Sequence, residues 1–253
     1  MESDEPTKEA FSDLLIRVMK GERKALAKSI TYCEDAPQEY DSLIPESTLN
    51  SQVLGITGAP GVGKSTTVNA LVKHLRAKSK TVAVIAVDPS SPITGGALLG
   101  DRIRLVEHFL DGGVFIRSLA TRGHLGGLSI STKSVIKLAK LAGFDYIIVE
   151  TVGVGQSEIE IMRYVDCVIV VMAPGMGDGI QASKAGILEI GNIYLVNKSD
   201  RDGAKETASE LEKSFHLSHR ISHGQPVVLL GAMEKSIGIE ELMISINKYQ
   251  ENS

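Results

Sequence analysis

The chain has 253 residues, enough for one large domain with appendages, and 43% hydrophobic against 23% charged residues lets it bury a sizeable core, which excludes disorder as its main state. Lysine and arginine total 27 against 31 acids, a net charge of −4 that argues against general nucleic-acid binding through a basic face. The longest apolar stretch, 167–173, is far short of the ~20 residues of a membrane span, and the start MESDEPTKEA has no signal or transit character, so no membrane and a cytoplasmic location are expected.

From the amino terminus, Phe11, Leu14, Leu15, Val18 and Met19 fall at i, i+3, i+4, i+7 and i+8, the stripe of an amphipathic helix. Gly21 stops it, Ala25, Leu26, Ser29 and Ile30 begin another, and Pro37 and Pro45 mark a connection. Residues 1–50 are therefore expected to be a helical extension packed on a domain spanning 51–253. Within that domain, short apolar runs recur at 53–57, 82–87, 114–116, 146–149, 167–172, 193–196 and 227–230. Most are continuous rather than alternating, which suits strands buried on both faces of a mostly parallel sheet. The spacers 66–77, 131–142 and 204–215 carry helical patterns, so the expected fold is a three-layer α/β/α sandwich. Neither Cys33 nor Cys167 belongs to a metal-spaced pair, and Cys167, inside an apolar run, reads as a buried structural thiol.

Glycine, at 25 residues, is in excess and clustered. Directly after the first run stands GAPGVGKST, comprising Gly58, Ala59, Pro60, Gly61, Val62, Gly63, Lys64, Ser65 and Thr66, which fits the phosphate-binding loop G-x-x-x-x-G-K-[ST]. Its glycines let successive N–H groups point at phosphates, and the helix that follows presents its positive dipole end to them. Lys64 is placed to reach the β and γ phosphates and Ser65 to ligate magnesium.

After the run 193–196 come Asn197, Lys198, Ser199 and Asp200, an N-K-x-D pattern at a strand's carboxyl end. An aspartate can accept from both the N1–H and the 2-amino group of guanine, donors that adenine lacks, so the pattern points to GTP and GDP. Gly231, Ala232 and Met233, after the last run, are expected to bring backbone to the guanine oxygen. Asp88, Asp101 and Glu150 lie at or beyond other strand ends, where carboxylates beside a triphosphate imply a magnesium ion and an oriented water. Gly153 is placed to give its N–H to the γ phosphate, and Val154, Gly155 and Gln156 read as a switch that registers it. Further glycine-rich stretches at 94–100, 122–127 and 174–179 read as loops that reorganise with nucleotide or partner. His216, His219 and His223 cluster, but with no cysteine or paired acid nearby they are not read as a metal site.

Taken in order, GITGAPGVGKSTTVNAL, VAVIAVDPSSPITGGALLGDRIRL, FIRSLATRGHLGGLS, GFDYIIVETVGVGQSE, VMAPGMGDGIQASKAGILEI and VNKSD resemble the MeaB/ArgK/MMAA family of SIMIBI-class P-loop GTPases, over residues from about 20 to 242. The resemblance implies a slow GTPase that acts as a chaperone for an adenosylcobalamin-dependent acyl-CoA mutase such as methylmalonyl-CoA mutase, gating cofactor loading and protecting the enzyme. It implies that residues 58–66 hold phosphates, that Ser65, Asp88, Asp101 and Glu150 surround magnesium, and that Asn197, Lys198 and Asp200 hold guanine. Lys64, Asp101, Glu150 and Gly153 then carry the hydrolysis, and 174–186, with Asp178 and Lys184, signals to the mutase. An Asp-Glu pair common in that switch reads Asp178-Gly179 here. Family members continue into a helical arm that helps build a homodimer, whereas this sequence stops at Ser253; a dimer would use the remaining surface, be weak, or depend on the partner. Other readings are a GTP-dependent regulatory module without catalysis, a transport-associated ATPase or kinase, and a nickel-insertion GTPase.

Overall fold

The computed structural model describes residues 8–88, 102–120, 131–151, 164–175, 189–217 and 226–251. In chain order they form α1 (Lys8–Met19), α2 (Arg23–Asp35), α3 (Pro37–Tyr40), β1 (Gln52–Thr57), α4 (Lys64–Ala77), β2 (Val82–Asp88), β3 (Val114–Ala120), α5 (Thr132–Leu141), β4 (Tyr146–Glu150), β5 (Cys167–Met172), β6 (Ile193–Val196), α6 (Ala204–Leu217), β7 (Val227–Leu230) and α7 (Ile239–Glu251). The seven described strands make one sheet in the order β3-β2-β4-β1-β5-β6-β7. Every pair in it is parallel. Among the described residues no helix is long and apolar enough to cross a membrane.

Each strand feeds both faces. Val53, Ile147, Val168, Val170 and Val196 join α1, α2, α5 and α6 in one buried cluster. Leu54, Ile56, Ile148, Ile169 and Leu195 join α4 and α7 in the other. This is why the runs are continuously apolar, and it gives the three expected layers.

The amino-terminal helices share the first cluster. Phe11 is fully buried, its ring tilted 44° against that of Tyr40 with the centroids 4.6 Å apart. Arg23 donates to the carbonyls of Gly112 and Val114, and Arg117 of β3 pairs with Glu34, so α2 is tied to the β3 edge. Met19 departs from the sequence reading: it is 55% exposed. The strands β1 to β4 each run further than the apolar runs, and β7, at the sheet margin, is half-exposed rather than covered on both faces. Pro37, read as a connection, opens the short helix α3.

A repeated device fixes the strand starts. The residue immediately before β4, β5 and β6 is Asp145, Asp166 and Asn192. Each side chain accepts a backbone N–H at the start of the neighbouring strand: Thr81 to Asp145 at 2.7 Å, Val53 to Asp166 at 2.8 Å, and Val168 to Asn192 at 2.7 Å. These bonds satisfy donors that the ladder cannot reach and set the register at the amino-terminal edge. The carboxyl-terminal edge is left to loops.

Candidate functional site

At that carboxyl edge, the loop after β1 turns through backbone that side chains rarely adopt. Gly58 has φ 140°, and a Cβ there would sit 2.1 Å from the Val171 carbonyl oxygen. Gly63 has φ 102°, and its Cβ would strike Asn197 Nδ2 at 2.2 Å. Glycine is thus required because the loop lies directly against β5 and against the residue that follows β6. Gly63 is the N-cap of α4 and provides no side-chain cap, so the helix dipole faces the loop uncapped by any side chain. Lys64, 8% exposed, curls over the loop and donates to the carbonyls of Gly58 at 2.9 Å and Ala59 at 3.2 Å. Ala59, Pro60, Gly61, Val62 and Thr66 complete the loop and the first turn of α4.

One residue into α4, the Ser65 hydroxyl donates to Glu150 Oε1 at 2.7 Å, and both residues are buried to 4% exposure. Glu150 ends β4, next to β1 in the sheet, so the pair follows from strand order. A hydroxyl and a carboxylate are hard oxygen donors of the kind Mg²⁺ takes, and the two fit that ion. Beside them Thr151 ties the strand ends together, its N–H donating to the Ile56 carbonyl at 3.0 Å and its hydroxyl to Thr57 Oγ1 at 3.0 Å. Asp88 closes β2, its backbone in register with Ala120. The Asp88 side chain, Asp101, Gly153, the switch at 154–156, Asp178, Lys184, His219 and His223 lie outside the described residues. Among the described residues, no three His, Cys, Asp or Glu side chains are grouped to hold a metal ion.

The Asn197–Asp200 segment is brought against the phosphate-type loop. Asn197, 3% exposed, donates to the Val62 carbonyl at 3.0 Å and accepts the Met233 N–H at 3.0 Å. Lys198 adopts a positive φ of 59° and donates to the Gly61 carbonyl at 2.7 Å. A left-handed lysine is a strained residue, and main-chain bonds flank it: the Asn197 N–H donates to the Met172 carbonyl and the Ser199 N–H to the Gly231 carbonyl. Both side chains therefore brace three loops together. The backbone N–H groups of Gly231, Ala232 and Met233, the segment expected to bring backbone to the guanine oxygen, donate within the protein to the Val196 carbonyl, the Ile237 carbonyl and Asn197 Oδ1. A donor already paired inside the protein has to give up that bond before it can serve a ligand. Asp200 is 38% exposed and accepts from Lys235 Nζ at 2.7 Å, a bond that holds its carboxyl below the ordinary carboxylate range. Lys235 and the Thr151 hydroxyl escape sequence reasoning, since nothing in their spacing marks them.

Residues 26–253 match the family described as Methylmalonyl Co-A mutase-associated GTPase MeaB. The chain is 46% identical over 248 residues to a protein of Pyrococcus horikoshii described as a GTPase, covering 95% of this chain and 78% of that one. It is 39% identical over 248 residues to GTPase ArgK of Escherichia coli K12, covering 93% and 75%. To the mouse protein named Methylmalonic aciduria type A homolog, mitochondrial, it is 34% identical over 254 residues, covering 92% and 61%. A crystal structure described as LAO/AO transport system kinase superposes with a TM-score of 0.75 at 30% identity, covering 98% of this chain and 77% of that one. HypB from Helicobacter pylori, at 18% identity and a TM-score of 0.58, shares the fold. The chain binds guanine nucleotide, hydrolyses GTP, and belongs to the MeaB family of P-loop GTPases.

Proposed function

We propose that this GTPase uses the state of its nucleotide to gate the loading and protection of an adenosylcobalamin-dependent acyl-CoA mutase, methylmalonyl-CoA mutase being the named associate of its family. The observation that supports the nucleotide part is the convergence of three segments at one sheet edge: the loop 58–66, Glu150, and Asn197–Asp200 braced against that loop. The loop 58–66 cradles the phosphates, and Lys64 exchanges the carbonyls of Gly58 and Ala59 for the β and γ phosphate oxygens. Ser65 and Glu150 would hold Mg²⁺, which when bound neutralises charge on those oxygens. Asp88 and Asp101 complete its surroundings by their place in the sequence. Glu150 and Asp101 orient the water that attacks the γ phosphorus, and the Gly153 N–H steadies the charge that develops. Asp200 accepts from guanine, and Asn197 and Lys198 act on nucleotide through the loops they brace. In this proposal the chain divides into a helical extension, 1–50, laid on a GTPase domain, 51–253.

The test is to load apo-mutase with adenosylcobalamin in the presence of the protein with GTP, GDP or a non-hydrolysable GTP analogue. Loading that depends on nucleotide state, with hydrolysis accelerated by the mutase, is the expected result; identical loading in all three states sinks the gating claim. Lys64→Ala is expected to abolish turnover in the same assay, and retained turnover would overturn its assigned role.

A further inference from the structure

We propose that Lys235 is a specificity-determining positioning residue: it orients the Asp200 carboxylate so that both of its oxygens are presented to the N1–H and 2-amino donors of guanine. The proposal rests on Asp200 being the guanine acceptor and goes beyond it, by naming what aims that acceptor.

Three contacts make the Asn197–Asp200 segment and the loop after β7 one unit. At its start the Met233 N–H donates to Asn197 Oδ1, in its middle the Ser199 N–H donates to the Gly231 carbonyl at 3.0 Å, and at its end Lys235 Nζ donates to Asp200 Oδ2. The loop is itself fixed. Ala232 and Ile237 bridge each other in antiparallel fashion, a 3-10 turn spans Met233–Lys235, and Ser236 takes φ 57° to close it. Lys235 is thereby fixed at its backbone, although its side chain is 59% exposed.

A free aspartate rotates about its last side-chain torsion with little cost, because that torsion is broad. A carboxylate must lie in the plane of the base to accept two hydrogen bonds from it. Each carboxylate oxygen has two lone-pair directions, so Oδ2 can accept from Lys235 on one side and from guanine on the other. The lysine thus sets the plane without consuming the acceptor. The exposed Asp200 carboxyl is ionised at neutral pH, and charge-assisted bonds are the stronger kind.

Hypoxanthine differs from guanine only in lacking the 2-amino group, so the GDP-to-IDP affinity ratio reads the bidentate contact. In the full chain, Lys235→Ala and Lys235→Met are expected to lower that ratio by about threefold, the scale of an exposed ion pair, with Lys235→Arg restoring most of it. Lys235→Met keeps the aliphatic stem, so a loss shared by both variants is assigned to the charge. An unchanged ratio in both variants, or a ratio that arginine fails to restore, overturns the proposal. Tighter GDP binding in Lys235→Ala would also overturn it, since the lysine would then be a competitor of the base. Wild-type protein that fails to prefer GDP over ADP would instead overturn the guanine-acceptor reading itself.

Discussion

Asn197 shows how much one side chain can carry in this fold. It is buried, spends its amide on the Val62 carbonyl and its oxygen on the Met233 N–H, and so joins the β1, β6 and β7 loops. Asn197→Ala leaves a buried donor and acceptor unsatisfied, and a loss of about 2 kcal/mol or more is expected in urea denaturation, together with weaker GDP binding. Asp200→Asn tests a different property. It puts an amide donor where guanine needs an acceptor, and xanthine offers a carbonyl in place of the 2-amino group, so displacement titrations should show preference moving from GDP to xanthosine diphosphate. The N-K-x-D spacing was legible in the sequence because it is local. The brace was not, because Val62 and Met233 become neighbours of Asn197 only when β1, β6 and β7 line up. Lys235 was hidden for the same reason, its reach to Asp200 being set by a 3-10 turn that no pattern announces.

Elements show the same division between local and assembled information. The stripe Phe11, Leu14, Leu15 and Val18 is buried as its spacing demands, yet Met19 is exposed. Eight residues on, at 100° each, it lies about 80° from Phe11, on the margin of the buried face. The edge position of β7 follows from strand order, which the apolar run 227–230 does not encode. Helix α7 is legible in the sequence by its pattern: Ile239, Leu242, Met243 and Ile246 have helical spacing, and all four are buried. Helix α4 is joined to the segment before β3 by Arg76 and Asp111, whose two hydrogen bonds are each 2.9 Å. The Arg76 guanidinium, with the Gly113 N–H, lowers the Asp111 carboxyl from 3.8 to about 2. A depressed folded-state value favours the folded chain above the unfolded value, and that advantage is lost as pH falls from about 4 toward 2. Asp111→Asn should therefore flatten the acid limb of a denaturation curve followed by circular dichroism over that window, and an unchanged limb would count against the assignment.

At the scale of the whole molecule, the two helical layers are bound to the same strands, and the amino-terminal helices have no core apart from the sheet. Cys33 in α2 and Cys167 in β5 report on the two places, both fully buried, with burial pushing each thiol up to about 12. Native protein is expected to resist thiol reagents, and the two cysteines should label at the same rate when it opens. Much faster labelling of Cys33 would mean that the helical layer detaches by itself, against the shared core. The ties at the amino-terminal edge carry a consequence for how such a chain finds its shape. Parallel strands joined by long crossovers meet late in folding, after much loop entropy is lost. A strand that slips by two residues still shows the same side chains to the same faces, so apolar burial alone does not reject it. Asp145, Asp166 and Asn192 do reject it, because a slipped strand leaves each of them without its N–H donor. They act as proofreaders of assembly, stationed at the end of the sheet opposite the chemistry.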